Sequence, residues 1–222
     1  MRSIDGTLAR LFHKQNPGYS GGMPPTGLDP TPPAGGGGLA VEVGLRARQA
    51  RTARGLSLGA VAAAAGIGKG SLSEIENGMR NPTLSTLYAL AHTLDMPLSA
   101  LLAERAGAQV ASPGIVARLL DVREDADATV EVFALALTPG AIHRSDAHGS
   151  GVMEQIIVTA GCVRAGTAGE ERAVSQGEMH VFPADGPHSY EAIDAPAHAV
   201  NIIRTPRSHR ASGPRGATGS PT

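Results

Sequence analysis

Apolar residues in the first half of the chain recur every three to four positions, the spacing that places them on one face of a helix. Ser57 suits the start of one helix, because its hydroxyl can accept from a free amide of the first turn, and Gly66 can end it. The first half is therefore predicted to be an all-α domain. Its five predicted helices cover 39–54, 57–66, 69–76, 83–94 and 98–102.

Beyond residue 113 the pattern changes to short apolar runs with strand-like alternation, separated by Gly, Pro and Asp. This spacing is typical of an antiparallel β-sandwich or barrel. The eight predicted strands cover 115–120, 129–137, 154–159, 162–165, 171–174, 180–182, 188–192 and 199–204.

Proline, glycine and small polar residues dominate both ends of the chain, which leaves too little apolar surface to stabilise a fold there. We expect both ends to be disordered. The chain thus divides into a Pro/Gly-rich extension (1–38), an all-α domain (39–105), a linker (106–113), an all-β domain (114–204) and a tail (205–222).

The formal net charge of -1 hides an asymmetry between the two halves. Residues 39–109 carry seven basic and five acidic side chains, whereas residues 110–203 carry five basic and thirteen acidic ones. A mildly basic helical domain is therefore joined to an acidic all-β domain, and only the first suits a nucleic-acid surface.

The single cysteine, Cys162, excludes an internal disulfide and is typical of a protein from a reducing compartment. No apolar run reaches the ~18 residues of a membrane span, so no membrane partner is predicted. We therefore expect a cytoplasmic protein.

Only about three residues, Gly66 to Gly68, connect the helix that starts at Ser57 to the predicted helix 69–76, and so short a connection makes the two cross steeply. This is the geometry of a helix-turn-helix, with an ordinary helical hairpin as the alternative. The outward positions of the second helix are small or polar, a surface that fits a major groove.

The segment 68–83, GKGSLSEIENGMRNPT, resembles the XRE-type (phage-repressor-like) helix-turn-helix family, whose second helix often reads SxSxLSxIENGxRNPT. The resemblance implies binding to double-stranded DNA. Lys69 would reach a phosphate or a guanine edge, while the two serines and the glutamate of the same helix would reach base edges. Leu58 and Asn77 would contact the DNA backbone through their amides. The expected DNA-binding residues are Lys69, Gly70, Ser71, Ser73, Glu74, Leu58 and Asn77.

The same resemblance places Arg51 and Glu76 at matching family positions. Both residues border an otherwise apolar cluster. We expect an ion pair that ties the first helix to the end of the recognition helix.

The all-β half resembles a cupin, whose first signature segment is G(x)5HxH(x)3–4E(x)6G. Gly140 and the spacing from Glu154 to Gly161 fit this segment. Asp146 replaces the first histidine, and five residues rather than three or four separate His148 from Glu154. The fold is therefore expected, with an altered metal-site motif.

The second signature segment, G(x)5PxG(x)2H(x)3N, is met at Gly177, Pro183 and His188, whereas Asp185 and Ala192 replace Gly and Asn. A helix-turn-helix followed by a cupin is a familiar family of bacterial regulators, and the resemblance covers about 40–204. It implies a multidomain fold, an N-terminal five-helix domain followed by a C-terminal all-β cupin barrel.

Inward positions on neighbouring strands can bring His148, Glu154 and His188 into one cavity. Two imidazoles and a carboxylate suit a divalent metal such as Zn, Mn, Fe or Ni, with His143 or Asp146 able to complete the set. The alternative is a hydrogen-bonded cluster without metal, so no cofactor is required by the sequence. The residues expected to line the cavity beside this triad are Ile156, Val158 and Phe182.

These observations favour a transcriptional regulator that is not an enzyme. The helix-turn-helix would bind an operator as a homodimer, since one module touches few base pairs, and the barrel would sense a small molecule, dimerise, or both. The alternative is a cupin metalloenzyme, an oxygenase or isomerase, with an accessory DNA-binding domain. A third interpretation is an antitoxin-like or nucleoid protein without a ligand.

Overall fold

The computed structural model describes residues 37–104 and 106–207 of the protein. The prediction of disorder for residues 1–38 lies outside the described residues as far as 36 and is wrong for 37–38, which are helical. The prediction of disorder for 208–222 also lies outside the described residues. Within these ranges the helices precede all of the strands. The helices are α1 (Gly37–Ala53), α2 (Leu58–Ala64), α3 (Lys69–Glu76), α4 (Leu84–Thr93) and α5 (Leu98–Leu101).

The helix boundaries follow the capping residues. Ser57 Oγ accepts from the amide of Ala60 at 3.1 Å, and Thr83 Oγ1 accepts from the amide of Thr86 at 3.2 Å. Gly66 follows α2 with a φ of +66°, a left-handed conformation that glycine adopts without steric cost. The predicted range 69–76 is confirmed for α3, which meets α2 in a helix-turn-helix.

The crossing of α1 and α3 depends on Gly44. A Cβ atom at this position would lie 2.1 Å from the carbonyl oxygen of Ile75, so the two helix backbones approach too closely for any side chain. The buried core of the helical domain includes Val43, Ala47, Val61, Ala62, Leu72, Ile75, Leu87, Leu90, Leu94, Leu98 and Leu101.

The second half folds into two antiparallel sheets that face each other as a barrel. One sheet has six strands in the order β1-β2-β3-β10-β5-β8, and the other has four in the order β4-β9-β6-β7. The strands are β1 (Gln109–Ser112), β2 (Ile115–Glu124), β3 (Ala128–Leu137), β4 (Ile142–Ser145), β5 (Met153–Ala160), β6 (Cys162–Thr167), β7 (Arg172–Ser175), β8 (Met179–Pro183), β9 (His188–Ala192) and β10 (Ala197–Pro206).

Three further parts of the chain differ from the prediction. The interpretation of 106–113 as a linker is wrong for 109–112, which pair with β2 across the tight turn at Pro113 and Gly114. β4 was not predicted, because its polar residues gain order only by pairing with β9. The tail prediction is wrong for 205–207, where β10 continues its pairing with β3 and Arg207 donates to the carbonyl of Asp127 at 2.8 Å.

The helical domain and the barrel share one continuous apolar core. Helices α4 and α5 supply its helical side next to the barrel, and β1 and β4 lie against α4. Among the residues described, no helix is both long and apolar enough to cross a membrane.

Candidate functional site

The predicted DNA-reading surface is on the solvent side of α3. Lys69, Gly70 and Glu74 are exposed, Ser71 and Ser73 are half-buried, and Leu72 and Ile75 on the opposite side are buried. A Cβ added to Gly70 would meet open space, so the fold of the chain itself does not require glycine there. Of the two residues expected to offer amides, Leu58 packs its side chain on the helical core. The expectation is wrong for Asn77, because its backbone amide donates to the carbonyl of Ser73 at 3.1 Å and its side-chain amide donates to the same carbonyl at 2.8 Å.

Arg80 belongs to the same surface, and sequence analysis missed it. Its guanidinium donates to Ser71 Oγ at 3.0 Å and to Glu74 Oε2 at 3.1 Å, so it holds two of the predicted base-reading side chains. The signal was present, since an arginine two residues beyond the glycine that ends the recognition helix adds positive charge beside it.

The expected ion pair between Arg51 and Glu76 is confirmed. Arg51 Nε lies 2.6 Å from Glu76 Oε1 and Nη2 lies 2.8 Å from Oε2, a bidentate arrangement that fixes both groups. A third donor, Nη1, contacts the carbonyl oxygen of Leu56 at 3.0 Å. The pair therefore joins α1, the connection before α2, and the end of α3.

The barrel brings together the three residues predicted to bind an effector or metal. Glu154 lies on β5 of one sheet, His188 begins β9 of the other, and His148 lies in the loop between β4 and β5. One ligand atom from each residue lies within 4.8 Å of the others. His143 and Asp146 do not belong to this group, since His143 Nε2 contacts Ser145 Oγ at 3.1 Å and Asp146 is exposed.

The outer contacts leave one oxygen of Glu154 facing the imidazoles. Its Oε2 accepts from the Tyr190 hydroxyl and from Asn201 Nδ2, the latter at 2.8 Å. Its Oε1 lies 3.0 Å from His148 Nε2 and 3.5 Å from His188 Nε2. Both distances are short, yet Oε1 and His188 Nε2 are buried without a well-aligned hydrogen bond.

His188 has the tautomer that a metal ligand needs. Its Nδ1 lies 3.0 Å from the carbonyl oxygen of Gly186, and a nitrogen that donates to a carbonyl must carry the proton. In the neutral ring, the lone pair is then on Nε2, which points to the other two ligand atoms. The unpaired buried atoms and this tautomer fit a divalent cation bound among the triad.

The two imidazoles of the triad keep the carboxyl group of Glu154 ionised. Burial opposes ionisation of Glu154, but the two adjacent imidazoles outweigh it and hold the pKa of this carboxyl well below its usual range. Burial lowers the pKa of His148. Burial also opposes protonation of His188, but contact with Glu154 outweighs it and raises the pKa of His188.

The residues predicted to line the cavity, Ile156, Val158 and Phe182, are all buried. The ring of Phe182 lies beside the triad, with its centroid 5.9 Å from that of His188. Ile156 and Val158 follow Glu154 at alternate positions, so the pleat of β5 directs all three side chains inward.

Tyr88 is a residue of the site that sequence analysis assigned no role. It lies on α4 of the helical domain, and its ring stacks on His148 with centroids 3.7 Å apart and planes 11° apart. Burial raises the pKa of its hydroxyl, as do the charges of Glu154 and Glu131, so Tyr88 stays neutral. No local pattern in the sequence indicates a contact between residues 60 positions apart.

A second link between the domains is the buried carboxyl group of Glu131 on β3. Its Oε1 accepts from the amide of Ser99 in α5 at 2.6 Å. Burial raises the pKa of Glu131 from 4.5 to about 6; the hydrogen bond from Ser99 opposes this rise, and the charge of Glu154 adds to it.

Glu131 should make the protein less stable as the pH rises from 4 to 7. Because its pKa is higher in the folded chain, the folded state binds more protons between about pH 4.5 and 6, and stability falls through this window. The loss is about 2 kcal/mol, and Glu131→Gln, which keeps an acceptor for Ser99, should lack it. Urea unfolding at pH 4 and pH 7 gives the free energy of unfolding of the wild type and of Glu131→Gln. If the two proteins differed by the same amount at both pH values, the prediction would be contradicted.

Comparisons with known proteins agree with both halves of the structure. Residues 48–101 match the family described as Helix-turn-helix (HTH_3). The HTH-type transcriptional regulator SutR of Escherichia coli K12 is 31% identical over 166 residues, which are 72% of this chain and 93% of that protein.

Two solved structures are also similar. An HTH_3 family transcriptional regulator from Vibrio cholerae matches with a TM-score of 0.69 at 29% identity, over 77% of this chain and 99% of that one. The Cupin_2 domain of an XRE family transcriptional regulator from Enterobacter cloacae is 28% identical, with a TM-score of 0.39, over 42% of this chain and 99% of that one. From the helix-turn-helix, the barrel behind it and the extent of the match to SutR, the chain belongs to the HTH-type transcriptional regulators of the XRE kind, with a C-terminal cupin-like domain.

Proposed function

We propose that this regulator binds its operator as a homodimer in the bacterial cytoplasm, and that its barrel senses an effector through a divalent metal ion. The observation that carries the sensing role is the convergence of His148, Glu154 and His188, with buried ligand atoms that lack hydrogen-bond partners. A bound cation would supply positive charge and open coordination positions, at which an anionic or hydroxyl-bearing effector can bind.

Within the triad each residue of the chain has a distinct task. Glu154 supplies the negative charge, and its second oxygen is fixed by Tyr190 and Asn201. His188 is oriented by the carbonyl of Gly186, which keeps Nε2 free. Phe182 and its apolar neighbours exclude water from this side of the cavity and so strengthen the electrostatic contacts.

On the operator, we assign α3 to the major groove. Lys69 at its start is exposed and free to reach a phosphate or a guanine edge, while Ser71, Ser73 and Glu74 face the bases. Gly70 allows the DNA to approach closely, and the amide of Leu58 at the start of α2 contacts a phosphate. Glu74 must exchange its exposed contact with Arg80 to accept from a cytosine, and such pairs hold side chains only weakly.

Lys69→Ala should weaken operator binding at low salt. If Lys69 neutralises one phosphate, the plot of log affinity against log salt should become shallower by about one unit. Fluorescence anisotropy over a salt titration measures this slope, with Lys69→Arg as the variant that keeps the charge. An unchanged slope would place Lys69 away from the phosphates.

The outer face of the six-stranded sheet is our candidate for the dimer interface. Apolar residues oppose one another across its middle strands, where Val200 pairs with Ala134 on one side and with Ile157 on the other. Val181 on β8 continues this face and is 48% exposed. Two copies joined here would place two recognition helices on one operator.

Ile157→Lys should therefore give a monomer in light scattering. Operator affinity should fall on the order of 100-fold, because the second head no longer binds as part of the same molecule. Gln176→Lys, in an exposed turn of the barrel, is the matched control and should remain dimeric. A dimer of undiminished stability in Ile157→Lys would remove this face from consideration.

A second candidate function is a cupin metalloenzyme. Two histidines and one carboxylate are also the ligand set of non-haem iron oxygenases. We favour a sensor because SutR and the Vibrio cholerae protein are named as transcriptional regulators, and because a residue of the DNA-binding domain lies against the triad.

Selection of bound fragments from a genomic pool tests the proposed function directly. We expect the full-length protein, purified without chelator, to enrich one palindromic sequence, and elemental analysis to find about one transition-metal ion per chain. Enrichment of no sequence would refute the regulator. If a sequence is enriched but no metal is found, the DNA-binding function stands and the proposed metal site is refuted.

A further inference from the structure

Helix α4 contacts both the helical core and the barrel. Leu84, Leu87 and Leu90 lie in the buried core of the helical domain, which fixes the recognition helix α3. Tyr88 on the same helix packs against the edge of that core and stacks on His148 of the barrel. With centroids 3.7 Å apart, the two rings are in van der Waals contact, so His148 cannot tilt towards Tyr88 without displacing it.

The loop that carries His148 is held from both sides. The amide of His148 donates to the carbonyl of Ala184 at 2.8 Å. A Cβ added to Gly149 would lie 3.5 Å from His92 Nδ1, one turn beyond Tyr88 on α4. Glu154 and His188 are in strands, whereas His148 depends on this loop and on α4 for its position.

A different helix makes a second contact on the barrel. The amide of Ser99 in α5 donates to the buried carboxyl group of Glu131 at 2.6 Å. The two helices that follow the helix-turn-helix are thus both attached to inward residues of the six-stranded sheet or its loops. Because the contact between Ser99 and Glu131 attaches α5 to the barrel, a movement of the loop at His148 shifts α4 relative to α5.

We propose that Tyr88 is a positioning residue of the sensor site, through which occupancy of the triad changes operator affinity. The inference rests on the proposed metal site. His148 Nε2 now faces Glu154 Oε1 at 3.0 Å, and a His148 that binds a cation exchanges this partner for another. The stacked Tyr88 follows the ring, and α4 passes the shift to the core that supports α3.

Linkage makes the proposal quantitative. If occupancy changes operator affinity by some factor, the operator must change metal affinity by the same factor. We expect about 5-fold or more for the wild-type protein, in the usual range for coupled sites. Tyr88→Phe keeps the ring and should keep the factor, whereas Tyr88→Leu removes the stack and should bring the factor below about 2.

The experiment uses the full-length protein, the enriched operator fragment and Co2+ as the probe. Operator affinity is measured with and without Co2+, and Co2+ affinity is measured from its visible absorption with and without the operator. Ser85→Ala on the same helix is the control and should behave as the wild type. Tyr88→Leu should still bind Co2+, because all three ligands remain.

A measurement on the wild-type chain covers the case in which Tyr88→Leu does not fold. With 3-fluorotyrosine in place of the 3 tyrosines, the signal lost in Tyr88→Phe reports Tyr88 and should shift when the operator is added. Unchanged coupling in Tyr88→Leu, or a Tyr88 signal indifferent to the operator, would overturn the proposal. Wild-type protein that binds the operator and no Co2+ would overturn the metal site together with it, and protein that binds neither would refute the regulator itself.

Discussion

Arg51→Met should destabilise the helical domain by about 3–5 kcal/mol, because it leaves the carboxylate of Glu76 buried without its partner. Only 5% of the Glu76 side chain and 14% of the Arg51 side chain are exposed, so water cannot replace the lost contacts. The carbonyl of Leu56 loses its donor in the same variant. Thermal unfolding should show a melting temperature lower by on the order of 10 °C.

Two further variants separate the buried charge from the general loss of an arginine. Arg51→Met with Glu76→Leu removes both charges and should recover most of the stability, since an apolar pair can replace a buried ion pair. Arg80→Met breaks a pair whose side chains are 53% and 51% exposed and should cost under about 1 kcal/mol. Equal melting temperatures for Arg51→Met and the wild type would show that the pair contributes little.

His188→Ala should lower Co2+ affinity more than about 100-fold, because it removes one of three ligands. Asn201→Ala, which loosens Glu154 without touching the ligand set, should cost only about 10–100-fold. His148→Ala with His188→Ala should abolish the response of operator binding to the effector, while operator binding itself remains. Isothermal titration measures the Co2+ affinity, and fluorescence anisotropy measures operator binding with and without the effector.

His180→Ala is the matched control for the triad. His180 is half-buried near Phe182, with ring centroids 5.4 Å apart, and lies outside the group of ligand atoms. It should bind Co2+ as the wild type does. If operator binding by the double variant of His148 and His188 still responded normally to the effector, the barrel would serve only as a dimerisation scaffold.

The local parts of this structure were predictable from the sequence. The cap at Ser57 and the apolar spacing define the helix-turn-helix, because both act within a few residues. Family resemblance supplied the pair of Arg51 and Glu76, and motif spacing supplied the triad, although the first motif is altered at Asp146. In each case the relevant information lies in short segments.

The contacts between domains were not predictable. Tyr88 on His148 and Ser99 on Glu131 join residues far apart in sequence, and their meeting depends on how the helices dock on the barrel. Neither Tyr88 nor Glu131 is unusual in its own segment, where each fits an ordinary helix or strand. Only the packed structure shows that both take part in one junction.

The place of β10 in the sheet sets an order of events during synthesis. Helices α1 to α5 contact near neighbours in sequence, so they can pack soon after they leave the ribosome, N-terminal part first. The last strand, Ala197–Pro206, lies between β3 and β5, and until it emerges those strands have unpaired edges. A chain that stops before Ala197 therefore keeps the sequence of a DNA-binding head but cannot close its barrel, and we expect such truncations to lose control by the effector before they lose contact with DNA.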